Sequence, residues 1–212
     1  TNQTKLDIVN LLKPYNVASV RPEIVDPETT SLLLTSVVKY DSKNTSKTSS
    51  TLKTEIVEDI TKYNTDTLQK FDGVFRFSKL SKLIDDTDNS ILSNSTNVKM
   101  RKNFTPTLSS STKYDIYFRN GLYNPHAGHN SIAGGILSST GFKVDGNTSE
   151  QFLDDDGNGN VRRYYLVSGI KTYDTSTQGV INYTTGQITL NSLNITSISN
   201  IRGAASTKIE IT

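Results

Sequence analysis

The chain has 212 residues, of which 33% are hydrophobic, and its 23 basic and 21 acidic residues leave a formal net charge of +2. This even balance provides no field that would attract nucleic acid or an anionic membrane, and no apolar run approaches the ~20 residues that span a bilayer. The sequence contains no cysteine, which excludes disulfides, thiolate nucleophiles and cysteine metal sites.

A short helix is predicted at the start of the chain. Leu6, Val9 and Leu12 fall on one helical face. Thr4 can cap the first turn, and Pro14 marks the point where the helix stops.

Two extended segments are predicted next, Arg21–Val25 between prolines and Ser31–Tyr40 with the alternation of a strand. One face of the second strand carries Leu32, Leu34, Val38 and Tyr40. The other face carries Leu33 and Val37, so we expect both of its faces to be partly buried.

Two helices are predicted after this strand. The polar loop Asp41–Ser50 ends in serine and threonine residues that can cap a helix. The first helix is indicated by apolar and aromatic residues at helical spacing, namely Leu52, Ile56, Ile60 and Tyr63. The second follows a turn at Asp72-Gly73, with Ser78 as its N-cap and three inward-facing residues, Leu80, Leu83 and Ile84.

A strand with Val98, Met100 and Phe104 on one side completes the first half of the chain. The order strand–helix–helix–strand after a leading helix predicts an α+β sandwich with helices on one face of a small sheet. The Pro/Ser/Thr-rich stretch Thr105–Thr112 is typical of a domain boundary. We therefore predict an α+β module over residues 1–106 and a second domain over residues 107–212.

The second domain is predicted to be all-β, because alternating segments are separated by Gly and Asn clusters. Thr184-Thr185-Gly186 lies between two of these segments and predicts a tight hairpin. The predicted strands are Tyr114–Phe118, Phe142–Val144, Val161–Val167, Val180–Tyr183, Gln187–Leu190, Leu193–Ile198 and Lys208–Ile211.

The acidic stretch Asp154–Asn160 has two interpretations. Oxygen ligands at alternate positions followed by glycine resemble the opening of an EF-hand calcium loop. However, Tyr165 stands where the bidentate glutamate should be, and a strand pattern follows instead of a helix. Asp and Asn beside Gly also favour the tip of a hairpin. The hairpin interpretation is preferred, and weak calcium binding stays open as the alternative.

His126 and His129 are the two histidines of the chain. Zinc or iron would need further ligands from elsewhere. Pro125 and Gly128 argue against a helix that presents both imidazoles on one face. A polar loop over Tyr123–Asn130 is favoured, and such a loop can also contact a partner subunit.

No catalytic arrangement is apparent. The sequence has no Gly-x-Ser-x-Gly elbow and no phosphate-binding glycine loop. Its neighbouring carboxylates, such as Glu55 with Glu58 and Asp85 with Asp86, fall on polar helix faces, where solvated charge explains them. We therefore predict no enzymatic activity, no cofactor, and no catalytic, cofactor-binding or metal-binding residues.

Several segments of the sequence resemble those of a known family. They are similar to the C-terminal α+β module of Baseplate J-like proteins and, over the whole chain, to the baseplate wedge subunits of T-even-type contractile-tailed phages, the gene product 6 type. The segments that carry the resemblance are Leu12–Val17, Arg21–Glu23, Val37–Asp41, Phe71–Leu80, Leu153–Asn160 and Val180–Leu190.

This resemblance implies a structural protein of the virion that is assembled in the host cytoplasm. It implies a C-terminal part of a longer subunit, in agreement with a chain that opens on Thr1. It also implies partners: a homodimer or ring of the same subunit, and other wedge proteins, which together surround the tail hub and rearrange on contraction. It carries over no catalytic residues.

Within this interpretation, the first contact residues to test lie in the loop Tyr123–Asn130 and the tip Asp154–Asn160. The alternative function is a calcium-assisted carbohydrate- or host-surface-binding β domain, in which tyrosine-rich loops and the acidic tip form the binding site. A carboxylate-based hydrolase comes third, since it would need two acidic residues to converge in a cleft.

Overall fold

The computed structural model describes residues 2–15, 23–24, 29–70 and 72–212. The chain forms two compact units, Thr1–Thr30 and Ser31–Thr212. In the first unit, helix α1 (Asn2–Leu12) is followed by a 3-10 turn, Lys13–Tyr15. Thr4 lies inside α1, so the prediction that it caps the helix is wrong, because the helix begins earlier. The extended segment predicted at Arg21–Val25 lies largely outside the described residues.

The second unit begins with an antiparallel pair of strands, β1 (Ser31–Tyr40) and β2 (Ile91–Phe104). Ser31 pairs with Arg101 at one end and Tyr40 with Ile91 at the other. The predicted bounds of β1 are confirmed. The prediction that both faces of β1 are partly buried is wrong for Val37, which is 64% exposed, because it lies on the face of β1 that points away from the neighbouring helix, whereas Leu34 and Val38 point towards it.

Between these strands lie α2 (Ser49–Tyr63), a π-helical turn (Asn64–Leu68) and α3 (Phe77–Asp86). The cap predicted for α2 is present, since the Thr51 amide donates to the Thr48 hydroxyl at 3.2 Å. Helix α3 starts one residue before Ser78 and has Arg76 at its N-cap position, so the Ser78 cap is wrong.

Helix α3 packs against both α2 and β2. Its inward residues Leu80 and Ile84 are buried as predicted, whereas Leu83 is half-buried. Leu52 of α2 is also buried. Helices and strands are thus combined, which confirms the α+β class. Among the described residues, no helix has both the length and the apolar character needed to cross a membrane.

The rest of the second unit is mostly strand and begins with β3 (Ser111–Tyr117) and a short helix, α4 (His129–Ala133). Strands β3 to β8 form a six-stranded antiparallel sheet in the order β3-β8-β4-β5-β6-β7, and β8 also pairs with β7. Five strands, β4 to β8, therefore form a closed cycle of pairings. The remaining strands are β4 (Phe142–Val144), β5 (Asn147–Asp155), β6 (Asn160–Val167), β7 (Ile170–Asn182), β8 (Gln187–Ile198) and β9 (Ile209–Ile211).

The all-β prediction for this region is confirmed in outline and differs in detail. The segments predicted at Gln187–Leu190 and Leu193–Ile198 are one continuous strand, β8. Strand β5 and the first part of β7 were not predicted. The hairpin at Thr184-Thr185-Gly186 is confirmed, and Gly186 has a φ of +67°, with a close approach to Asn120 that leaves no space for a Cβ.

Strand β9 joins the two sheets. It pairs with the end of β2, with Lys102 opposite Ile211 and Phe104 opposite Ile209. The side chains of Ile209 and Ile211 are nevertheless fully buried in the core of the six-stranded sheet. That core also contains Ile116, Phe118, Leu137, Phe142, Val144, Leu153, Val161, Ile181, Ile188, Leu190, Leu193 and Ile195. The division predicted between residues 106 and 107 stays a prediction.

Replacing Ile211 with alanine should destabilise the chain by about 2–5 kcal/mol, because the substitution removes fully buried methyl groups and leaves a cavity. The matched control is Ile170→Ala, since Ile170 is 72% exposed and should change stability little. Urea unfolding of both variants measures the difference. Equal effects would show that β9 does not contribute to the core.

Candidate functional site

The two loops singled out in the sequence, Tyr123–Asn130 and Asp154–Asn160, lie side by side; together they are called the contact surface below. Gly157 packs directly on Asn130: a Cβ at Gly157 would come within 2.1 Å of the Asn130 carbonyl oxygen. Gly157 also has a φ of +76°. Both the close approach and the left-handed backbone require glycine at this position.

The buried carboxylate of Asp155 holds the contact surface in place. One of its oxygens accepts the amides of Ile136 and Leu137, each at 2.7 Å. The other accepts the Gly157 amide at 3.2 Å and the Tyr183 hydroxyl. A buried charge is tolerated when its hydrogen bonds are satisfied, so Asp155 ties together the segment after α4, the β5–β6 tip and the β7–β8 turn.

Asp156 shapes the tip itself. Its carboxylate accepts the backbone amides of Asn158 at 2.8 Å and of Asn160 at 3.0 Å, and the Asn160 side-chain amide at 2.7 Å. Burial acts to raise the pKa of Asp156, but these hydrogen bonds outweigh it and hold the pKa below its usual value. The stretch Asp154–Asn160 is thus the β5–β6 hairpin tip, as preferred from the sequence.

Asp154 faces the other side of the sheet and joins a cluster of charged and aromatic groups. It accepts Arg162 Nε at 2.9 Å, Lys171 Nζ at 2.6 Å and the Tyr173 hydroxyl at 3.0 Å. Burial acts to lower the pKa of Lys171, yet the hydrogen bond to Asp154 and its negative charge outweigh this and raise the pKa. The two cations also lie over tyrosine rings, Arg162 over Tyr173 and Lys171 over Tyr164, each at 4.3 Å.

The three aspartates therefore point in different directions and accept hydrogen bonds from different protein donors. In an EF-hand, alternate side chains converge on one ion. Here Asp154 is directed towards Arg162 and Lys171, while Asp156 folds back onto its own turn. The arrangement is that of a structural turn.

A turn brings the side chains of the two histidines close together. Gly128, with a φ of +76°, is the N-cap of α4, which begins at His129. The His129 amide donates to the His126 carbonyl at 3.1 Å. His126 precedes the helix, in keeping with the prediction that no helix presents both imidazoles, but the rings still lie 4.9 Å apart with His129 Nδ1 at 3.2 Å from His126 Nε2.

Exposed apolar groups flank this loop. Tyr123 is 67% exposed and its ring packs edge-on against His129 at 5.3 Å. Ile132 is 88% exposed and was missed in the sequence, since a single isoleucine in a Ser/Ala/Gly stretch has no periodicity. Residues 123–133 contain no Asp, Glu, Lys or Arg. Aromatic and aliphatic groups without strong charge are typical of the centre of a protein interface.

Four carboxylates of α2 and α3 contact protein partners. Glu55 pairs with Lys47 at 2.8 Å, and Asp86 with Lys82 at 2.6 Å. Asp59 accepts the Thr87 hydroxyl at 3.0 Å, and Asp85 the Asn94 amide at 2.8 Å. These contacts agree with solvated, structural charges.

Two comparisons with known proteins bear on this chain. Residues 32–103 match the family described as baseplate structural protein gp6, C-terminal domain III. This segment coincides with the β1–α2–α3–β2 unit. The chain is also 29% identical over 118 residues to "Baseplate wedge protein gp6" of Enterobacteria phage T4, which is 54% of this chain and 18% of that protein.

These matches indicate a class: the chain is similar to structural proteins of the baseplate of contractile-tailed phages. More closely, residues 32–103 are similar to C-terminal domain III of gp6-type baseplate structural proteins. The matched segment covers less than a fifth of the length of the T4 relative.

Replacing Tyr183 with phenylalanine should lower the unfolding free energy at neutral pH by about 1–2 kcal/mol, because Asp155 loses a donor. Burial and then the hydrogen bond to Asp155 raise the pKa of Tyr183 above its ordinary value of 10. The stabilisation that the protonated Tyr183 hydroxyl provides is therefore fully present below pH 10 and is lost as the pH rises further.

The stability gap between wild type and Tyr183→Phe should consequently narrow above pH 10, as measured by urea unfolding at neutral pH and at about pH 11. The control is Tyr123→Phe, which removes an exposed hydroxyl and should be neutral at both values. A gap that does not change with pH would contradict this role of Tyr183.

Calcium should leave the melting temperature of the chain unchanged, because Asp154, Asp155 and Asp156 already accept hydrogen bonds from protein donors. Thermal unfolding with millimolar calcium and with a chelator measures this. A calcium-dependent rise that disappears in Asp156→Asn would restore the calcium interpretation.

Proposed function

We propose that this chain functions by binding other protein subunits: it associates with copies of itself and with other wedge proteins to build the ring around the tail hub. The single observation that carries the proposal is the match of residues 32–103 to gp6 domain III. The ring would form in the host cytoplasm and rearrange when the tail contracts. Pairing, partner binding and rearrangement belong to the proposal, since the matched segment covers 18% of the T4 protein.

Two surfaces of the second unit support this role. The first is the contact surface, in which exposed Tyr123 and the tip residue Asn158 stand on a rigid, hydrogen-bonded base. The second is a groove of about 510 Å³ between β1 and α2. Its apolar lining consists mainly of Leu34, Val38, Leu52, Ile56 and Ile60. A heterologous ring closes when each subunit contributes two different patches.

The fold of residues 31–104 suits this role. With α2 beside β1 and α3 against β2, we infer a small sandwich whose helices cover one face of the sheet. A sheet that is anchored by a buried helix–strand core can present loops without deforming. Moderately polar loops of this kind suit contacts that must break and re-form during contraction.

The alternative, a calcium-assisted carbohydrate-binding domain, gains no specific support. Its acidic tip uses its carboxylates internally, as the hydrogen bonds of Asp155 and Asp156 show. The hydrolase alternative needs two acids that converge in a cleft. Glu55 and Asp88 do approach one another, but Lys47 Nζ lies 2.8 Å from each and pairs with both.

Alanine blocks in the contact surface should weaken assembly. The first block replaces Tyr123 and His126 of the contact surface together with Ile132 beside it, and the second change replaces Asn158; all four residues are exposed, so the fold should be kept. Light scattering after size-exclusion chromatography should show loss of the self-associated species, and co-sedimentation should show weaker binding to other wedge proteins.

The matched control is Ile170→Ala, which removes an exposed isoleucine at the β6–β7 turn. It should assemble like the wild type. If both alanine blocks melt and assemble like the wild type, the contact surface is not an interface.

A further inference from the structure

We propose that His126 and His129 form a bidentate site for a divalent late transition-metal ion of the Zn²⁺, Ni²⁺ or Cu²⁺ class. The ligand atoms are His126 Nε2 and His129 Nδ1, which lie 3.2 Å apart. Metal–imidazole bonds are about 2.0–2.1 Å long. An ion at that distance from both nitrogens would subtend an N–metal–N angle of roughly 100°, within the range of tetrahedral and octahedral coordination.

The hydrogen bond of His126 prepares its free nitrogen for this role. His126 Nδ1 lies 3.1 Å from the Ala127 carbonyl oxygen. Because a carbonyl oxygen only accepts, Nδ1 carries the proton and Nε2 carries the lone pair. A second hydrogen bond of this kind, from the other ring nitrogen to a carbonyl, is the usual support of a metal-bound histidine.

His129 supplies the second lone pair by a change of tautomer. Without metal, its Nδ1–H donates to His126 Nε2. Bound to metal, Nδ1 would face the ion and the proton would move to Nε2 by exchange with water.

The backbone holds the two rings together before any ion binds. Gly128 takes a left-handed conformation, and the His129 amide donates to the His126 carbonyl at 3.1 Å. The next residue, Asn130, is fully buried, and its carbonyl accepts the Gly135 amide at 2.8 Å. Tyr123 packs edge-on against the His129 ring. Such preorganisation reduces the entropy lost on binding.

The ligand set decides the class of ion. Two imidazoles with no carboxylate in residues 123–130 favour zinc, nickel or copper over calcium and magnesium. In the part of the chain that the structure describes, no group of three or more His, Cys, Asp or Glu side chains gathers. With two protein ligands instead of four, the affinity should be far weaker than in four-ligand structural sites, and water can complete the coordination.

The test is a titration of the 212-residue chain, prepared without a polyhistidine tag, with zinc chloride in a calorimeter. One ion should bind per chain. His126→Gln and His129→Gln should each weaken binding at least about tenfold, since each removes one of two ligands. Asn124→Ala, an exposed change in the same loop, should bind zinc like the wild type.

The ¹⁵N chemical shifts of the imidazoles provide a second readout, because His129 should change its protonated nitrogen from Nδ1 to Nε2 when zinc is added. The inference is overturned if the wild type shows no saturable binding, or if either glutamine variant binds zinc as tightly as the wild type. It does not depend on the proposed assembly function, since the titration measures the isolated chain.

Discussion

The β-rich part of this molecule depends on the carboxylate of Asp155, a charge buried among three segments that are distant in sequence. Its two oxygens accept the amides of Ile136, Leu137 and Gly157 and the hydroxyl of Tyr183. Because a buried charge must find all of its partners at once, the segment after α4, the β5–β6 tip and the β7–β8 turn are fixed relative to one another. Gly135 and Gly157 permit this arrangement, since a Cβ at either position would collide with Asp155 or Asn130.

The same constraint gives the contact surface its character. The charge lies beneath the surface, whereas Tyr123 and Ile132 and the histidine pair are presented above it. A hydrogen-bonded base under exposed, weakly charged groups suits recognition of another protein, which agrees with the similarity of the chain to a baseplate structural protein.

The two sheets also depend on each other. Strand β9 pairs with β2, yet places Ile209 and Ile211 in the core of the other sheet. The segment matched to gp6 domain III thus ends in a strand that pairs with the last strand of the chain. Because β9 pairs with one sheet and packs its side chains into the core of the other, it links the two sheets.

Local pattern alone determined a good part of this protein. Signals that act over a few neighbouring positions can be identified without a structure. They include the alternation of β1, the helical spacing of α2 with its Thr48 cap, and the turn residues at Thr184-Thr185-Gly186 and Asp154–Asn160. Tertiary structure decided the remainder. Strand β5 is polar along much of its length, so its sequence does not predict a strand; it is extended because it pairs with β4 and β6. Contacts and turn geometry that no periodicity encodes bring the two candidate loops together and bury Asp155. They also place the two imidazole nitrogens 3.2 Å apart.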